Sequence, residues 1–415
     1  GPIGAVIAAC TSADRPPTGS PGGSQAKGRT SLGSNYSDPL PKAALAALIE
    51  QFTAETGIDV DVNTIDSGSF QDGIGAYLQG RPDDVFTWFA GNRMRFFAGH
   101  GLAAPISDVW PTIKDRFSDG VQRAAIGDDG KPYLVPFQTY PWAVVHRRSI
   151  WQQRGYDVPA TFDDLISLAE RMRADGLVPL AFGDKDGWPA MGTFDILDLR
   201  LNGYDFHLRL ATGTERWTDR RVRDVFDAWR RLLPFQQQAA LSRTWQDAAR
   251  SMIAGESGMY YAGTFAGEQT DEAGRADLAL FPFPTLGTAF DGERALDAPI
   301  NGFMLSRQPK DAAAANAFLR FVAGGPAQTT YVTRNPNRIA VASDADPSGY
   351  SAYQKEMASL IKGAGRLAQF FDRDSRPDFT GPTGLQAFLQ DFLTDPSQQL
   401  DPYLARIQAF WDSLV

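Results

Sequence analysis

Three histidines, His100, His146 and His207, are the only imidazoles in 415 residues, and none has a Glu or Cys at the spacing a metal site needs. No metal centre is expected. The chain also lacks GxSxG, GxxxxGK[ST] and a GxGxxG that opens a helix after a strand, so hydrolase, kinase and dehydrogenase lose their usual signatures. Adjacent carboxylates are frequent, at Asp83-Asp84, Asp128-Asp129 and Asp163-Asp164. A glycosidase needs two carboxyls at a defined separation in space, which sequence neighbours do not establish. Asp83-Asp84 reads as a loop before a strand, and Asp163-Asp164 as a first helical turn stabilised by the helix dipole.

Aromatic and small polar residues instead recur together in short stretches: SNYSD, DSGSF, TWFAG, PFQTYPW, GDKDGWP, YYAGTF and INGF. An aromatic face beside polar edges suits a sugar, whose pyranose ring presents C–H patches on its faces and hydroxyls around its rim.

Those stretches fall at strand ends. PKAALAALIEQFTAETG repeats apolar residues at helical spacing through Leu45, Leu48 and Phe52, and Gly57 ends it. IDVDVNTI alternates as a strand, DDVFTWFAG is a strand running into a loop, and NRMRFFAGHGL is helical, so Thr30 to Leu102 reads β-α-β-α-β-α. That order implies a parallel sheet flanked by helices, with ligands beyond the carboxyl ends of its strands. Farther on, Thr161 caps a helix over TFDDLISLAERMRADG that Gly176 terminates. DRRVRDVFDAWRRLLPF, WQDAARSMIAGESG and DAAAANAFLRFVAGG are further helices. LVPLAFG, GMYYAG, ADLALFPFP and INGFMLSR are strands, and Ser351 to Val415 is mostly helical.

Length and composition fit two domains of a soluble protein, each with its own core. A net charge of −9 disfavours nucleic acid and anionic membrane. Cys10, the single cysteine, excludes an internal disulfide. Ile7-Ala8-Ala9-Cys10 resembles a bacterial lipobox with Cys10 as the lipidated residue, and the Pro/Gly/Ser-rich stretch to residue 29 reads as a flexible tether. No run of ~18 apolar residues predicts a membrane span.

Longer stretches resemble the extracellular solute-binding proteins of ATP-driven sugar importers, the group of maltose- and glucose-binding proteins. The most specific is GKPYLVPFQTYPWAVVHRRSIWQQRGYDVPATFDDLISLAERMRADGLVPL, supported by RPDDVFTWFAG, HGLAAPISD, WQDAARSMIAGESGMYYAGTFAGEQ, LALFPFPT and APINGFMLSR. The family's Tyr-Asn-Lys is His146-Arg147-Arg148 here, its Gly-x-Trp is Gly263-Thr264-Phe265, and its double Gly is Asn301-Gly302. The resemblance implies a periplasmic-binding-protein-like α/β fold: two discontinuous lobes, a hinge crossed more than once, and a ligand cleft between them. Lobe one would hold residues 30–138 and 296–340, and lobe two residues 139–295 and 341–415.

Carried over position by position, the resemblance implies ligand contacts from Asn35, Asp38, Asp66, Ser67, Trp88 and Phe89 in lobe one, and from Tyr140 at the hinge. Lobe two would add Asp186, Trp188, Trp245, Gly263, Thr264 and Phe265, and the returning chain Asn301, Gly302 and Arg338. Asp66, Asp186 and Asn301 would accept from or bridge hydroxyls, Arg338 would donate, and Trp88, Trp188, Trp245 and Phe265 would cover C–H faces. Within PFQTYPW, Tyr140 is expected to face ligand and Phe137 to pack, with Trp142 open between the two. The implied function is a monomeric, lipid-anchored carbohydrate binder that serves the permease of an ABC importer without cofactor or catalysis. The alternative is a secreted glycoside hydrolase or lyase using cleft carboxylates.

Overall fold

The computed structural model describes residues 28–415, so the Cys10 lipidation signal and the tether up to residue 27 lie outside the described residues, while Gly28 and Arg29, expected in the tether, begin a strand. The strands run, in chain order, β1 Gly28–Ser34, β2 Ile58–Thr64, β3 Val85–Phe89, β4 Ala103–Ala104, β5 Leu134–Thr139, β6 Trp142–Arg147 and β7 Val178–Leu180. They continue as β8 Ser257–Gly263, β9 Leu278–Phe281, β10 Leu296–Asp297, β11 Ile300–Ser306, β12 Ile339–Ala340 and β13 Leu367–Ala368. One sheet has the order β12-β5-β11-β3-β1-β2, with β4 also beside β11. A second has the order β7-β8-β6-β9, and β10 pairs with β13 apart from both.

Within the first sheet β1 is parallel to β2 and β3, as the βαβ pattern requires, whereas β11 enters antiparallel between β3 and β5. Separate apolar clusters hold this sheet's two sides: Leu45, Leu48, Phe52 and Phe318 in one, and Phe70, Trp88 and Phe97 in the other. The helix Pro39–Thr56 begins with Pro at its first position and closes on Gly57 at φ 71. A capping box joins Thr161 to Asp164 at the start of helix Phe162–Ala174. A single large core built on Trp142, Phe194, Trp217, Phe226 and Trp229 unites the second sheet with the helices around it.

The chain passes from the first sheet to the second at Tyr140–Pro141, between β5 and β6, and returns from β10 into β11. Beyond residue 340, where the expected boundary fell, the chain still bonds to the elements around the first sheet. Val341 and Ala342 donate backbone N–H to the Gln328 side chain, and Ser343 to the Arg116 carbonyl.

The helix Pro189–Ala211 had no counterpart in the sequence reading. It is buried over most of its length and carries Asp195, Asp198, Arg200, Asn202 and His207 inward, so it shows no alternation of apolar and polar faces. Gly203, at φ 80, breaks its regularity where an added Cβ would lie 2.3 Å from the Phe290 ring. The C-terminal stretch is helical as expected over Ala352–Gly363, Leu385–Thr394 and Leu400–Ser413, but residues 364–384 are not one helix. They form β13 and two single-turn pieces, Phe371–Asp374 and Pro377–Thr380.

Candidate functional site

A cavity of about 100 Å³ lies between the two lobes. Its lobe-one wall starts at the end of β1. Asn35 accepts through Oδ1 from the Thr87 hydroxyl at 2.7 Å, which leaves its amide nitrogen for the cavity. Asp38 has N-cap backbone geometry for the helix Pro39–Thr56, yet its side chain caps nothing and borders the cavity. Its carboxyl thus sits at the positive end of an 18-residue helix. Burial, and then the charge of Glu268 across the cleft, push the Asp38 pKa above the ordinary carboxylate value. Ser37, Ser67, Gln71 and Phe89 complete this side.

The lobe-two wall is aromatic. Trp142 stacks on Phe370 with ring centroids 4.9 Å apart and planes at 25°. Trp188 stands edge-on to Trp142, Phe265 and Phe370 at 6.3, 6.0 and 6.2 Å, and Trp245 meets Phe265 at 4.8 Å. Such tilted pairs hold each other's orientation, so the wall is rigid before a ligand arrives. Gly263 ends β8 beneath it. A Cβ there would lie 2.2 Å from the Phe265 ring and 2.9 Å from Tyr140, so glycine lets both rings approach.

Arginines close the hinge side. Arg338 donates from Nε to Glu268 at 3.0 Å and lies 4.6 Å over the Tyr140 ring. Burial opposes its charge, but Glu268 together with the hydroxyls of Tyr331, Tyr140 and Tyr36 outweighs burial and holds the guanidinium pKa above its ordinary value. Arg373 donates to Asn301 Oδ1 at 2.8 Å and to the Tyr140 hydroxyl at 3.2 Å, and covers Phe89 at 3.8 Å. It belongs to a strap, residues 369–374, that also brings Phe370 and Asp372 to the cavity. Phe370 has φ 116, a region that costs a residue with a Cβ about 1–3 kcal/mol and persists only where the surroundings impose it.

Those surroundings are buried carboxylates. Asp195 accepts from Phe371 N–H and Asp374 from Gln369 N–H, each at 2.8 Å. Asp297 is fully buried, its carboxyl facing that of Asp195. Burial raises Asp297 to about 7 and Asp374 to about 6, and raises Asp195 together with the charge of Asp297. His207, 2.8 Å from Asp198, is also raised: burial opposes its charge, and the Asp198 hydrogen bond and charge overcome that.

Of the residues expected at the site, Asn35, Asp38, Ser67, Phe89, Tyr140, Trp188, Trp245, Phe265, Asn301 and Arg338 border the cavity, and Trp142 joins them. Phe137 packs in the core against Phe303 and Tyr331. Six do not line the cavity. Asp66 is used up as a helix cap, accepting from Ser69 N–H at 3.0 Å. Trp88, expected to cover a sugar, is 1% exposed and packs on Phe70, Phe97 and Arg93, because β3 turns it to the face opposite the cleft. Asp186 is half-buried in the loop before Trp188, its pKa raised by burial and then by Asp66. Gly263 shapes the wall from behind. Thr264 donates its hydroxyl to Asn337 O at 2.9 Å. Gly302 gives β5 room, since a Cβ would lie 2.1 Å from Val135 O.

Tyr36, Ser37, Pro41, Gln71, Glu268, Phe370, Asp372 and Arg373 were missed. QFFDRDSRP sets aromatics beside polar residues as the other site loops do, although its polar residues are mostly charged, and its place in a helical tail hid it.

The arrangement suits recognition of a neutral polyhydroxyl ring. Of the three carboxylates at the cavity, Glu268 is paired with Arg338 and Asp372 with Arg93, which leaves Asp38 as the one without an ion-pair partner. Among the described residues no cluster of three His, Cys, Asp or Glu could hold a metal ion, and no helix is long and apolar enough to cross a membrane.

The family profile of bacterial extracellular solute-binding proteins matches residues 36–329. The bacterial solute receptor AcbH, described as having an exclusive substrate preference for β-D-galactopyranose, is 41% identical. It superposes with a TM-score of 0.89 over 92% of this chain and 97% of its own. An uncharacterized ABC transporter extracellular-binding protein of Pyrococcus horikoshii is 25% identical over 377 residues, 87% of this chain and 81% of that protein. The α-glucosides-binding periplasmic protein AglE of Rhizobium meliloti is 21% identical over 90% of this chain and 85% of that protein.

Proposed function

Since the chain belongs to the bacterial extracellular solute-binding proteins, we propose that its interlobe cavity captures one neutral hexopyranose of the galactopyranose type for an ABC importer. The observation that carries this reading is an aromatic wall facing a polar wall across a cavity of about 100 Å³. A buried water needs only ~10–15 Å³, so the cavity admits a ligand many times the size of a water, on the scale of one ring. Trp188, Trp245 and Phe265 would cover the C–H face. Asp38 and the Asn35 amide would hold hydroxyls from the other side, and Arg338, with two of its nitrogens already engaged, would donate from the third. Each neutral hydrogen bond contributes ~1 kcal/mol, so several must act with the aromatic face.

The protein works outside the cytoplasm as a binder without covalent chemistry, and its partner is the importer's membrane permease. Lipidation of Cys10 would tether it to the membrane. The lobes would swing about 140–141 and 298–299 and about the segment after residue 343, in place of the boundaries at 138, 295 and 340.

Calorimetry against D-galactose, other hexoses and a maltose series tests this. Tight, stoichiometric heat from galactose alone is the expected result. Heat from maltose-series oligosaccharides and none from hexoses would overturn the single-ring assignment.

A further inference from the structure

A second interlobe cavity, of about 210 Å³, adjoins the sugar cavity, and Gln71 and Asp372 line both. The separating wall is made of side chains. Arg93 donates from one terminal nitrogen to Gln71 Oε1 at 3.0 Å and Asp372 Oδ2 at 3.4 Å, and from the other to Gln71 O at 3.4 Å. Arg93 and Asp372 side chains are 9% and 7% exposed, and Arg93 Nε and Asp372 Oδ1 have no partner in the protein. Beyond the wall lie Asp72, Asp378, Thr380 and Gln386, two helices of lobe one facing the C-terminal segment. The far chamber therefore offers polar side chains and the space of a sugar ring.

We infer that the Gln71–Arg93–Asp372 wall sets ligand length, confining the site to one ring and closing off a chamber that would otherwise take the second ring of a disaccharide. Both lobes build the wall, so it assembles only when the cleft shuts. A ligand with a second ring there would displace an interlobe ion pair, leaving Arg93 and Asp372 buried without each other. Once the wall is removed, Asp72, Asp378, Thr380 and Gln386 would become partners for the second ring. This inference rests on the single-hexopyranose reading.

The experiment is calorimetry of the full chain with D-galactose and with disaccharides in which a galactose unit is substituted at O1, O4 or O6. Wild type is expected to bind galactose at least about 100-fold tighter than every disaccharide. In the charge-neutral double variant Arg93→Ala/Asp372→Ala that ratio should shrink at least about tenfold for the disaccharide whose link points at the wall. Gln71→Ala, which removes no buried charge, should move the same ratio in the same direction if the double variant does not fold. Wild type binding galactose and a disaccharide equally, or a folded variant with an unchanged ratio, would overturn the inference while leaving the hexose reading intact. Absence of galactose binding in wild type would sink both.

Discussion

The two walls of the cavity achieve binding by different physics. Lobe two presents Trp142, Trp188, Trp245 and Phe265, locked edge-to-face and shaped by Gly263, and thus a surface that exists before the ligand does. Lobe one presents Asn35, Ser37, Asp38 and Ser67, groups at helix and strand ends that become useful only once the lobes bring them over a sugar's rim. The apolar wall supplies affinity in proportion to area buried, whereas the polar wall supplies selectivity, because a missing hydroxyl strands a desolvated partner. Closure by hinge motion is the step that joins the two.

The sharpest way to break that contrast is to remove the aromatic face. Trp188→Ala should weaken galactose binding by about 2 kcal/mol, roughly 30-fold, with little loss of melting temperature, because Trp188 is only partly buried at the core's edge. Trp88→Phe should do the reverse, lowering stability while affinity shifts less than about twofold. Equal effects on binding from both would mean that Trp88 faces the sugar after all. Calorimetry paired with thermal unfolding reads both.

A smaller effect sharpens the polar side. Asp38→Asn keeps the shape and one acceptor but loses the charge, and should cost about 1 kcal/mol, close to fivefold. Because the Asp38 pKa lies above the ordinary value, wild-type affinity should decline on acidification earlier than an ordinary aspartate would dictate, and the asparagine variant should not follow. A variant whose affinity tracks pH like wild type would assign the dependence elsewhere.

Smallest for binding, though not for stability, is a change in the seam behind both walls. Asp297 is raised from 3.8 to about 7, so between those values the folded protein holds a proton that the unfolded chain releases. Stability must then fall as pH rises through that window. Asp297→Asn should match wild type near pH 4, melt higher at pH 8, and leave galactose affinity within about twofold. A melting temperature unchanged at pH 8 would show that Asp297 carries no such penalty.

Some of this was legible before any coordinates. Leu45, Leu48 and Phe52 repeat at helical spacing because one face of their helix meets a sheet, whereas IDVDVNTI alternates along an edge strand in which only Ile58 is buried and Val62 is exposed. Thr161 and Asp164 announce a helix start because capping is local. The aromatic-polar loops marked the site because loops at strand ends converge in this fold. The helix Pro189–Ala211 was invisible because buried polar residues such as Asp195, Asp198 and His207 interrupt its apolar periodicity, and the strap because its signature lay in a helical tail.

What the sequence alone determined, then, is what neighbours along the chain set: the periodic helices and strands, their local caps and stops, and that the loops carry sugar-compatible chemistry. The tertiary structure alone decided which face of β3 meets the cleft, sending Trp88 inward and Phe89 to the ligand. It alone brought Glu268 to Arg338 and Arg93 to Asp372, partners 70 and 279 residues apart. Side chains so distant in sequence meet only through the packing of whole lobes, and no local pattern records that encounter.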